Sequence, residues 1–164
     1  MRKRSLLLLL SILPLALLLS ACTAKGYGKT YSMLSTKQKV SFSLYLKSTN
    51  VPGGQAESTL KGQYYDPKGM TVFGPREIKF EGIGKIKQKD KGPRSQMCVA
   101  GAVQYASKNR YAPGKGNLNI MMCDNGDKKM GTGDSITVSV LDGPYTGYFL
   151  EGTLTDGNIV TYDD

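Results

Sequence analysis

Three thiols and no histidine bound the chemistry open to this chain of 164 residues. Ser-His-Asp and Cys-His nucleophilic arrangements both need an imidazole base, so both are excluded. Cys22, Cys98 and Cys123 therefore read as modified or structural thiols, not as nucleophiles. The carboxyl pairs Glu77/Glu81 and Asp163-Asp164 lack a context that would set one as acid and the other as base. Glu77 and Glu81 share a strand face and are expected to balance Lys79 and Lys85. Asp124-Asn125-Gly126-Asp127 is rich in oxygen but lacks the spacing and closing Glu of a calcium loop, and Lys128 and Lys129 repel a cation. Zinc would find no imidazole here. Gly82-Ile83-Gly84 and Gly131-Thr132-Gly133-Asp134-Ser135 precede no helix, so neither forms a phosphate cradle. The expectation is a chain with no enzymatic activity, no metal and no cofactor.

The N-terminal segment explains one thiol. Arg2, Lys3 and Arg4 precede an apolar run from Leu6 to Leu19, broken only by Ser11 and Pro14. A membrane-spanning helix needs roughly 20 apolar residues, so this shorter run reads as a secretory signal. It ends in Leu19-Ser20-Ala21-Cys22, which closely resembles the lipobox of bacterial lipoproteins. The resemblance covers residues 1–22 alone. It implies cleavage before Cys22, a diacylglyceryl thioether on its sulfur and acylation of the new amino terminus. Two or more acyl chains anchor a protein stably, where one holds it only marginally. Thr23 follows the cysteine where a retention signal would have Asp, which in enteric-type bacteria implies the outer membrane. An exported, oxidising setting then favours a Cys98–Cys123 disulfide between neighbouring strands. On the chain-entropy model such a bridge contributes roughly 3 kcal/mol.

Charge is unevenly distributed. The net charge is +9, yet residues 61–115 hold twelve Lys/Arg against four Asp/Glu, and residues 116–164 hold two against eight. Lys85, Lys87, Lys89, Lys91 and Arg94 are the densest basic run. Alternate lysines on a strand face one way. They form either a patch for lipid phosphate, lipopolysaccharide or an acidic protein, or a guard on an exposed strand edge. Nucleic acid is not an expected partner of an exported chain. Of ten tyrosines, Tyr105, Tyr111, Tyr145 and Tyr148 fall near strand ends, where they serve recognition or simply the sheet.

These residues need strands to position them. Lys39–Lys47 alternates through Val40, Phe42, Leu44 and Leu46; Ser135–Asp142 alternates through Ile136, Val138 and Val140. Glu57–Tyr65, Met70–Phe73, Glu77–Lys87, Gln96–Ala106, Asn117–Asp124, Tyr145–Thr155 and Asn158–Tyr162 complete about nine strands by this reading of the pattern. Gly101–Asn109 is small enough in its side chains to coil instead. Asp66-Pro67-Lys68-Gly69 reads as a turn, Gly82 and Gly84 as a bulge or a sharp bend, and Asp156-Gly157 as a hairpin. The organisation is a signal over residues 1–21, a lipidated tether over 22–36 and an all-β sandwich or barrel over 37–164. The expected role is a non-catalytic binding or accessory lipoprotein of the envelope. The alternatives are an inhibitor or exclusion factor against an incoming enzyme, phage or plasmid system, and a structural subunit of an envelope assembly.

Overall fold

The computed structural model describes residues 21–33, 35–51, 55–69, 77–83, 85–88, 98–126 and 133–163. They form one antiparallel sheet of ten strands: β1 (Ala21–Ser32), β2 (Ser35–Val51), β3 (Gln55–Asp66), β4 (Ile78–Ile83), β5 (Lys85–Gln88), β6 (Cys98–Ser107), β7 (Lys115–Cys123), β8 (Ser135–Val140), β9 (Phe149–Thr153) and β10 (Asp156–Asp163). The order is β10-β1-β2-β3-β4-β6-β7-β8-β9, with β5 also on β3. The all-β expectation holds, as one curled sheet instead of two packed ones.

Strict alternation builds the interior. Val40, Phe42, Leu44 and Leu46 of β2 face it, as do Leu118, Ile120 and Met122 of β7 and Ile136, Val138 and Val140 of β8. Many residues on the other parity are charged or polar, including Lys79 on β4, Asn119 on β7 and Glu151 on β9, with Phe149 and Val160 as exposed apolar exceptions. Each strand thus buries one face and hydrates the other. β6 is extended throughout, so Gly101–Asn109 does not coil. β4 and β5 lie along β3 in one register, Glu81 opposite Gln63 and Lys85 opposite Thr59, and residue 84 lies outside the described residues. Met70–Phe73 lies outside the described residues.

Two expectations are corrected. Residues 23–32 are not a tether. They are β1, paired with β10 on one side and β2 on the other. The strand escapes a hydrophobic-period search because its inward residues are Ala24, Gly26, Gly28 and Thr30. A Cβ on Gly26 would lie 2.6 Å from Ile159 Cγ1, and one on Gly28 2.6 Å from Leu154 Cδ2. The core reaches the β1 backbone, so larger inward side chains have no room. The second correction is Asp156-Gly157, which is no hairpin. Gly157 has φ +101° and sits inside β10 opposite Gly28. β9 and β10 do not pair with each other; β9 pairs with β8 and β10 with β1.

That step brings the β9–β10 connection against β1 without joining the two ends of the sheet by a ladder. The Thr155 amide donates to the Lys29 carbonyl at 2.7 Å, and the Thr30 hydroxyl to the Thr153 carbonyl at 2.8 Å. Asp134 is buried at the junction, accepting from the Ile159 amide at 2.6 Å and the Asn125 amide at 3.2 Å. The segment 145–148, expected to be strand, is a turn that carries Tyr145 and Tyr148 into the core.

Candidate functional site: a tyrosine–lysine face

Cys98 and Cys123 are directly opposed on β6 and β7, 4.1 Å apart at Cα, and are joined as a disulfide. Cys22 is the second residue of β1, opposite Ser48 of β2 and Asp163 of β10. It is buried, and its thiol donates to Asp163 Oδ1 at 3.3 Å. Lys85 and Lys87 take register positions on β5 opposite Thr59 and Glu57 of β3. Lys89, Lys91 and Arg94 lie outside the described residues. The register Cys22–Ser48–Ser58–Ile86 brings the start of β1 and the β5 backbone to the same end of the sheet.

The tyrosines singled out by position do not form a recognition surface together. Tyr105, Tyr145 and Tyr148 are buried, and Tyr111 alone of the four is exposed. Tyr105 and Tyr145 stack at 5.6 Å between centroids, and Tyr64 and Phe80 at 4.7 Å. Buried hydroxyls need partners, and these have them. Tyr145 donates to the Lys79 carbonyl at 2.8 Å and Tyr105 to the Asp142 carbonyl at 2.9 Å. Tyr148 donates to Asp66 Oδ2 at 2.8 Å, and its oxygen hydrogen-bonds the Tyr64 hydroxyl. Asp66, itself buried, also accepts from the Ser32 hydroxyl at 3.2 Å and the Lys68 amide at 2.9 Å. Desolvation raises the Tyr64 and Tyr148 hydroxyls well above their usual range, and pushes Tyr105 up to about 12. These groups form a closed internal network at the end of the sheet remote from Cys22. Glu81 pairs with Lys108 at 2.6 Å and not with its sequence neighbour Lys79, and the side chain of Lys85 lies outside the described residues.

The exposed aromatic surface lies elsewhere, on the outer face of β10-β1-β2-β3. Registers align three cross-strand rows. Val160, Lys25, Tyr45 and Lys61 form the central row. Asn158, Tyr27, Ser43 and Gln63 form the row towards the far end, and Tyr162, Thr23, Lys47 and Thr59 the row towards Cys22. Strands lie about 4.8 Å apart and rows about 7 Å apart. Lys25 and Lys61 therefore flank Tyr45 at a Cα separation of about 10 Å. Tyr27 is 64% exposed, Val160 47% and Tyr162 43%. Lys39 stands over the Tyr31 ring at 5.6 Å, which extends the same mixture of rings and ammonium groups along β1 and β2.

A concavity of about 630 Å³ runs over this face, bordered by Lys25, Tyr27, Tyr45, Lys61, Val160 and Tyr162, with Ser43 and Asn158 also exposed to it. Among the described residues no carboxylate lines it. A neighbouring concavity of about 570 Å³ shares Ser43 and continues over Gln63, Tyr65 and Lys79 to the Glu81–Lys108 pair. Reasoning from sequence missed the first groove because it followed the densest lysine run. The signal was available in Lys25-Gly26-Tyr27-Gly28-Lys29-Thr30-Tyr31, where large residues occupy every outward position. Comparison of the chain with protein-family models, with curated proteins and with solved structures gives no match.

Proposed function

We propose that this chain is a lipid-anchored bacterial envelope lipoprotein, in the outer membrane, that acts as a non-catalytic binding module through its tyrosine–lysine face. The observation that carries the reading is the groove of about 630 Å³ over β10-β1-β2-β3, where exposed tyrosines alternate with lysines on paired strands. Rings held on rigid strands and charges without local counter-ions suit recognition. The apolar-in, charged-out alternation also suits a domain held at a membrane instead of one spanning it, because a spanning barrel turns its apolar side to lipid.

The Leu19-Ser20-Ala21-Cys22 motif supports the anchor. A lipid on Cys22 enters at the second residue of β1; the thioether replaces the thiol proton that Asp163 accepts, so the buried sulfur has to turn outward and the first residues of β1 act as the short link to the bilayer. Tethering raises the local concentration of the face, and weak contacts then suffice. The test is fractionation of cells expressing the wild type and Cys22→Ser. The wild type is expected in the membrane fraction and the variant released from it. Equal membrane retention of the two would contradict the anchor.

A further inference from the structure

We infer that the groove over β10-β1-β2-β3 is a binding site for an anionic saccharide; this rests on reading that face as the working surface of the module. β1 is paired with β10 and β2, and β2 with β1 and β3, so the backbone donors and acceptors of these strands are already engaged. A peptide cannot dock over β1 and β2 by adding a strand, which leaves the outer edge of β10, beside the groove, as the place where one could. Recognition within the groove must come from side chains. Those side chains are three tyrosines, two ammonium groups, a serine hydroxyl and a carboxamide.

Each has a counterpart on an acidic sugar. A pyranose presents a flat C–H face that stacks on an aromatic ring, and Tyr27, Tyr45 and Tyr162 offer rings at low entropic cost because they have few rotamers. Lys25 and Lys61 lie on either side of Tyr45 in one row, and among the described residues the groove contains no carboxylate to neutralise them. A uronate or phosphate on the sugar supplies the missing negative charge. Ser43 and Asn158 offer a hydroxyl and an amide to ring hydroxyls. About 630 Å³ lies within the range of roughly 300–1,000 Å³ typical of small-ligand sites, and suits a short oligosaccharide. A bilayer surface fits less well, because a flat lipid face cannot enter a concavity.

The test uses the detergent-solubilised full chain on an array of uronate- and phosphate-bearing oligosaccharides, their neutral counterparts and polyglutamate. Acidic oligosaccharides are expected to be retained at least about tenfold better than either control, the scale of ring stacking and charge-assisted contacts. Tyr45→Ala and Lys61→Gln should each weaken that binding by about tenfold, while Tyr45→Phe keeps it. Far-ultraviolet dichroism and a thermal melt check that each variant is folded. No retention of any acidic sugar, equal retention of polyglutamate, or full binding by folded Tyr45→Ala would each overturn the inference. A protein crosslinked in cells from position 27, with no sugar bound on the array, would overturn it while leaving the face as the binding surface.

Discussion

The buried hydroxyl chain Tyr64–Tyr148–Asp66 shows how much a single atom carries in this core. Removing the Tyr148 oxygen takes a partner from Asp66 and from Tyr64 together. A buried polar group left without a partner costs about 1–3 kcal/mol, so Tyr148→Phe should lower stability by that amount in a urea melt. The same hydroxyls make the fold sensitive to alkali. Their protonated forms are favoured by burial, with the folded value raised above the unfolded value of 10 and Tyr105 pushed up to about 12. Their contribution is complete below pH 10 and is lost as the pH rises through 12, since only the unfolded chain ionises freely in that window. Melts between pH 8 and pH 12.5 should show a plateau followed by a steep fall above pH 10. The sequence gives no direct sign of this network. Tyr145 and Tyr148 stand in a Gly- and Pro-containing turn, where tyrosine usually signals an exposed ring, and only the tertiary path of 142–147 turns them inward.

At the scale of elements, legibility followed the size of the inward side chains. β2 and β8 are plain in the sequence because Val, Ile, Leu and Phe mark their buried faces. β1 is not, because alanine, glycine and threonine mark its buried face and leave no hydrophobic period to read. Gly26→Val should cost about 1–3 kcal/mol, since the added atoms meet Ile159 and Met122. A deletion of residues 23–32 should abolish the cooperative melt, whereas loss of a mere tether would leave it unchanged. Turn chemistry misled in the opposite sense at Asp156-Gly157. Its positive φ serves the crossing of β10 over Gly28, a requirement set by the pairing of β10 with β1 and invisible locally. The β6–β7 staple was readable from cysteine spacing, and the opposed register explains why it forms. Denaturing alkylation should label neither Cys98 nor Cys123 until reductant is added.

The described residues combine an apolar interior within a curled sheet, a basic aromatic outer face and a cysteine at one end. Two hydrogen bonds tie the β9–β10 connection to β1, while β9 and β10 remain the two terminal strands of the sheet. Composition alone pointed to the run at Lys85–Arg94, because charge is easy to count along a chain and hard to sum across strands. The lysines of β1, β2 and β3 are spread through the sequence and are gathered only by register. The central claim is that this gathered face meets the partner. A photoreactive side chain placed at position 27 in the lipidated protein, compared in living cells with one at position 151 on β9, tests it most directly. The account predicts a discrete adduct from position 27 and none from position 151. Adducts from position 151 with none from position 27 would contradict it.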